Sequence, residues 1–303
     1  MRFRPSYIKL YETGELSKRI STLNEILKSC VLCPRRCRVD RVKGARGVCN
    51  AAKLPFIASV MPHFGEEPPL VGHGGSGAIF MAGCNLKCVF CQNSDISHGC
   101  DGEEISSDEL SAIMVNLQRK GCHNINFVTP THQIAQIVES LPKAIENGLD
   151  VPLVYNCGGY EEANIIKLLE GIFDIYMPDI KYSDPTIALN LSLAPDYVKC
   201  VQSSVKEMHR QIGDLVIDKN GIAQKGLIVR HLVLPEGLAG TREVMRFIAK
   251  EISADTYVNI MDQYRPCFKA FMDERITREI TRQEYEDALA IAREEGLKNI
   301  EGA

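Results

Sequence analysis

The sequence predicts an α/β fold built on a parallel sheet, and two observations carry that prediction. Six short apolar runs, at 78–81, 125–128, 151–155, 173–177, 227–234 and 257–261, read as buried strands. Helical stretches fall between them at 107–119, 133–147, 161–170, 186–212 and 242–251. Strands alternating with helices imply right-handed crossovers in one sheet. Ser106 and Glu109 form a capping-box pair at the first of these helices, and Thr281 with Glu284 opens a closing helix at 283–295. A doubly wound sheet and a partial barrel both satisfy this pattern.

Four regions follow from composition. Residues 1–53 combine a polar helical stretch, running through Ile26 and Leu27, with the cysteine-rich run CVLCPRRCRVDRVKGARGVC, which has too little apolar content to fold unaided. Residues 54–75, with Pro62, Pro68, Pro69 and several glycines, read as a connector. The α/β unit occupies 76–267, and 268–303 reads as a helical tail.

At 303 residues the chain can form one large domain or two small ones. Its 35 basic and 39 acidic residues give a formal charge of −4 with no long basic run, so generic nucleic-acid binding is not expected. No stretch approaches the roughly 20 apolar residues of a membrane span, and MRFRPSYIKLYETG lacks the apolar core of a signal peptide. A cytoplasmic protein is expected. Twelve cysteines in a reducing compartment make a poor disulfide framework, so clustered ones point to metal and scattered ones to packing.

The segment GAIFMAGCNLKCVFCQN places Cys84, Cys88 and Cys91 directly after the first strand, where the active-site loops of parallel α/β proteins lie. A structural zinc or iron-sulfur site ordinarily takes four protein ligands, whereas three leave one coordination position open for chemistry. A zinc loop completed by a distant residue, with Cys100 the nearest candidate, is the alternative. Cysteines separated by three and then two residues, with an aromatic before the last, resemble the signature of the radical S-adenosylmethionine (SAM) superfamily. That resemblance implies a 4Fe-4S cluster on the three cysteines, SAM chelated to its fourth iron, and reductive cleavage of SAM to a 5'-deoxyadenosyl radical. It selects a partial (β/α)6 TIM-type barrel, and it places Phe90 beside the adenine of SAM.

The ends of the later strands supply further candidates. NFVTPTH puts Thr129 and Thr131 where many superfamily members carry a Gly-Gly-Glu that binds the SAM amino group, a departure that leaves hydroxyls and carbonyls as acceptors; Thr131 also suits a helix N-cap. VYNCGGYE presents Asn156 beside two glycines, which permit close approach or simply a tight turn. In MPDIKY, Asp179 and Lys181 alternate along an apolar run, where unpaired charge is costly, so they are a functional pair or a structural ion pair. In LIVRHLVLPEG, Arg230 suits a SAM carboxylate or ribose contact, and His231 reads as a satisfied core histidine. Asp262, Gln263 and Tyr264 close the series.

Cys30, Cys33, Cys37 and Cys49 have the spacing of one closed four-ligand site, either zinc or a second 4Fe-4S cluster. Arg35, Arg36, Arg38 and Arg41 would offset its thiolate charge. The remaining cysteines read as core or loop residues, with Cys157 and Cys267 nearest the strand ends.

Together with EEPPLVG and MDQYRP, these segments, over roughly residues 28–267, look like the radical SAM proteins of pyruvate formate-lyase activating enzyme type. The likeness implies hydrogen abstraction from a glycine of a glycyl radical enzyme, with flavodoxin or ferredoxin as reductant. Radical modification of a small molecule, peptide or RNA is a second reading, and a metal-bearing binding module without catalysis is a third.

Overall fold

The computed structural model describes residues 3–301. Its strands are β1 (Phe56–His63), β2 (Ser76–Met81), β3 (Glu103–Glu104), β4 (Ile125–Val128), β5 (Leu153–Cys157), β6 (Ile175–Pro178), β7 (Val216–Ile217), β8 (Ala223–Leu232), β9 (Tyr257–Met261) and β10 (Asn299–Glu301). Across the sheet they run β10, β9, β8, β6, β5, β4, β2, β1, β3, with β7 paired to β8 off this path. From β2 to β10 the strands on this path are parallel and stand in chain order without reversal. A doubly wound sheet reverses at a switch point. This one does not, so its right-handed crossovers all lie on one face. The parallel α/β fold is as expected, and the sheet ends in two edges.

The helices are α1 (Ser6–Glu12), α2 (Glu15–Ile26), α3 (Pro68–Val71), α4 (Ser94–Ser97), α5 (Ser107–Arg119), α6 (Ile134–Glu146), α7 (Ala163–Leu168), α8 (Pro185–Ser192), α9 (Tyr197–Ile212), α10 (Thr241–Phe247) and α11 (Arg282–Glu294). Both capping boxes form, Ser106 with Glu109 at α5 and Thr281 with Glu284 at α11. None of these helices is long and apolar enough to cross a membrane.

Three features differ from the sequence reading. The long helix at 186–212 is two, because Leu193 turns left-handed at φ 51° and Pro195 disfavours helix in the residue before it. The connector contains β1, which tolerates Pro62 because beyond β2 it pairs only with the two-residue β3, at Phe56 and Ile57. The tail is not purely helical, since β10 extends the sheet beside β9.

The N-terminal segment is built into this body. Tyr7, Leu16, Leu23, Leu27 and Leu32 belong to the main apolar core. The Tyr7 hydroxyl donates to the Val151 carbonyl at 2.9 Å, and the Ser6 N–H donates to Asp174 Oδ1 at 2.9 Å. Both anchors precede the starts of β5 and β6, so α1 covers the amino ends of the strands and leaves the carboxyl ends free.

Candidate active site

The loop after β2 is held from several sides. Gly83 has φ 82°, and a Cβ there would stand 2.1 Å from the Cys49 carbonyl, so only glycine fits. The buried Asn85 side chain donates to the Tyr160 carbonyl at 2.6 Å, while its own carbonyl accepts from Arg35 Nε at 2.8 Å. Lys87 and Val89 donate their N–H groups to the Ser192 and Leu191 carbonyls at the end of α8. The break between α8 and α9 therefore helps to place this loop.

Each of its three sulfurs has a hydrogen-bond partner. The Leu86 N–H donates to Cys84 Sγ at 3.4 Å, Ser192 Oγ donates to Cys88 Sγ at 2.9 Å, and Ser97 Oγ lies 3.0 Å from Cys91 Sγ. Donors of this kind stabilise thiolate ligands. Burial pushes the Cys84 thiol up to about 12 and raises Cys88 as well, so a bound cation is needed to draw off their protons. The donor set fits a cluster with one iron left open.

The loop borders a cleft of about 440 Å³ at the carboxyl ends of the strands, within the about 300–1,000 Å³ typical of small-molecule sites. Cys84, Cys88, Phe90, Cys91, Thr129, Asn156, Asp179, Lys181 and Arg230 all line it. Phe90 packs edge-on against Tyr182 and Tyr264, with centroids 6.5 and 5.8 Å away. Thr129 holds a left-handed φ of 61°, uncommon for a β-branched residue. Thr131 does not line the cleft and caps no helix: a 3-10 turn over Thr131–Gln133 intervenes, and its hydroxyl donates instead to buried Glu161 at 2.6 Å. Burial raises that carboxyl to about 7.

Charged residues in the cleft form one network. Arg230 Nε donates to Asp179 Oδ1 and its Nη2 to Asn156 Oδ1, both at 2.8 Å, and Lys181 Nζ donates to Asp179 Oδ2 at 2.6 Å. Burial alone would raise the Asp179 carboxyl, but Arg230 and Lys181 together hold it below its ordinary value. Arg230 thus spends donors on tying the ends of β5, β6 and β8 together, which weakens its assignment as a carboxylate ligand. Lys181 keeps spare hydrogens, and its charge acts on Cys88.

Two carboxylates escaped the sequence reading. Glu66 Oε2 lies 3.7 Å from Arg230 Nη1, and Glu67 Oε1 accepts from Asn259 at 3.1 Å. Burial raises the Glu66 carboxyl against the pull of Arg230. The adjacent acids of EEPP were a usable signal. Gln263 lines the cleft, while Tyr264 is buried with its hydroxyl on the Ile276 carbonyl. His231 is the satisfied core histidine expected, bridging the Ile180 carbonyl and Thr241.

The four N-terminal cysteines wall a separate small cavity with Arg41 and His132. Arg41 is only 1% exposed; it donates to the carbonyls of Ala52 and His132 and points Nη1 at Cys30 Sγ, 3.9 Å away. Among the described residues no three His, Cys, Asp or Glu side chains converge on a single-ion site.

A family model for the radical SAM superfamily matches residues 78–217, which include the three-cysteine loop and the ends of β4, β5 and β6. An uncharacterised protein of Methanocaldococcus jannaschii is 32% identical over 294 residues, covering 94% of this chain and 80% of that one. The pyruvate formate-lyase-activating enzyme of Clostridium pasteurianum is 24% identical over 186 residues, covering 60% of this chain and 71% of the enzyme. Among solved structures, a radical SAM methyltransferase of Kitasatospora setae, with cobalamin and a 4Fe-4S cluster bound, aligns at TM-score 0.44 and 16% identity over 62% of this chain and 36% of its own. The loop geometry and the sequence comparisons converge: the chain belongs to the radical SAM superfamily, whose members bind SAM at a 4Fe-4S cluster.

Proposed function

We propose that this protein cleaves SAM reductively, with Cys84, Cys88 and Cys91 as cluster ligands, and activates a glycyl radical enzyme by hydrogen abstraction. The observation that carries the reading is a three-thiol loop, each sulfur with a hydrogen-bond partner, opening on the cleft at the strand ends. When bound, the cluster supplies the electron that converts SAM to methionine and the 5'-deoxyadenosyl radical. Lys181 offers its ammonium to the SAM carboxylate, with Asp179 orienting it. Phe90 offers an apolar wall for the adenine, and Thr129 and Asn156 offer polar atoms for the rest of the cofactor. Glu66, across the cleft, is an acceptor for the ammonium group. The 24% identical activating enzyme supports a glycine on a protein partner as the hydrogen donor. In this reading Cys30, Cys33, Cys37 and Cys49 hold a second metal, a flavodoxin or ferredoxin is the reductant, and the protein works in the cytoplasm.

The test is anaerobic reconstitution, reduction with dithionite and addition of SAM. The expected result is 5'-deoxyadenosine release that falls by more than about 100-fold in Cys88→Ala, since even outer-shell partners of a metal are worth about 10–100-fold. A glycyl doublet in electron paramagnetic resonance on a partner identifies the activase. SAM cleavage without any doublet across candidate glycyl radical enzymes overturns that assignment and leaves SAM chemistry standing.

A further inference from the structure

His132 is 1% exposed and is one of the residues lining the N-terminal cysteine cavity. Its Nε2 lies 2.8 Å from the Ala82 carbonyl, which can only accept, so Nε2 carries the hydrogen. Gln133 Nε2, 3.2 Å from the same nitrogen, also donates to Ala82 and does not change this tautomer. Nδ1 is therefore a bare lone pair, and it is buried with no hydrogen-bond partner among the described residues. Cys30, Cys33, Cys37 and Cys49 line the same cavity, and as thiolates they too are acceptors. Four thiolates and a bare imidazole nitrogen around one buried cavity need more compensation than Arg41 gives, since its guanidinium reaches only Cys30 and donates otherwise to the Ala52 and His132 carbonyls.

A histidine that donates one ring N–H to a backbone carbonyl and leaves the other nitrogen bare has the arrangement of a metal ligand with its outer shell in place. We infer that the N-terminal cavity is an iron-sulfur centre with His132 Nδ1 as a ligand. This rests on the reading above that the N-terminal cysteines hold metal, and it goes further by naming a nitrogen donor and the class of metal group. Cys30, Cys33 and Cys49 are buried, whereas Cys37 is only partly buried. Three buried thiolates and one imidazole complete the set, with Cys37 dispensable. A cluster also suits donors that do not converge on a single ion, because its irons hold the ligands further apart than one zinc does.

The full chain carrying Cys88→Ala, which lacks the catalytic cluster, is reconstituted with iron and sulfide, reduced with dithionite and examined by pulsed electron paramagnetic resonance. The expected result is about four irons per chain and the coupling of a directly bound imidazole nitrogen. That coupling should change to the 15N pattern when histidine alone is labelled with 15N, and it should disappear in His132→Ala. The labelled protein retains His132, so a folding defect in the variant does not blunt the test. Cys37→Ser should keep both iron and coupling; loss of iron there makes Cys37 a required ligand and overturns the set. Iron bound without a histidine coupling overturns the inference while the four-cysteine reading survives. A chain without iron, holding zinc or nothing, overturns the inference, and nothing bound overturns the four-cysteine reading as well.

Discussion

The two cysteine-rich regions gather thiols in opposite ways. The loop after β2 lies open to a cleft, and its sulfurs meet two serine hydroxyls and a backbone N–H. The N-terminal set encloses its own small cavity, and the buried guanidinium of Arg41 points at one of its sulfurs. Neutral donors moderate a thiolate while leaving room for a ligand and for a change of redox state. A buried cation compensates charge permanently, which suits a centre that stays shut. The contrast separates thiols open to a ligand from thiols closed around their own cavity.

Replacing Arg41 breaks the closed region most severely. Arg41→Met leaves the Ala52 and His132 carbonyls short of donors and should cost about 2–4 kcal/mol, read by urea unfolding. A cost near zero would mean that the guanidinium is not what compensates this cavity. Gly83→Ala strikes the boundary between the regions. A Cβ pressed on the Cys49 carbonyl at positive φ should destabilise by about 2–3 kcal/mol and lower iron retention at both sites. Gly14→Ala, with φ 75° and nothing within 4 Å, is the control and should cost only about 1 kcal/mol. Equal melting shifts in the two variants would dismiss the contact. Ser192→Ala sharpens the comparison with the smallest effect. Losing a donor to Cys88 should move the catalytic potential by a few tens of millivolts to more negative values, since 59 mV is tenfold for one electron. An unchanged potential in redox titration would make Ser192 a packing residue.

Much of this was legible beforehand because it rests on local pattern. Ser106 with Glu109 and Thr281 with Glu284 capped the expected helices, since a capping box needs only four residues. The six parallel strands were read from apolar runs, and the cysteine loop from its spacing. What was missed depends on distant partners. β1 is a strand because β2 pairs with it, and β10 because β9 has an open edge, neither of which is written in a run of side chains. Arg41 resembled its arginine neighbours in sequence, yet alone among them it is wholly buried. Arg230, Asp179 and Asn156 could each be picked out, but not that the last two occupy the donors of the first. Thr131 was read from its position just past the strand, which does not reveal the 3-10 turn that takes its hydroxyl to Glu161.

The Cys49 carbonyl resting against Gly83 bears on how this protein can be dissected. That carbonyl and Arg35, bonded to Asn85, form part of the mould in which the three-cysteine loop takes its bend. A shortened chain that begins at β2 would keep every residue the family signature requires and lose the surface that shapes them. Chimeras that borrow this cleft for another substrate should therefore carry the first fifty or so residues as part of the catalytic unit.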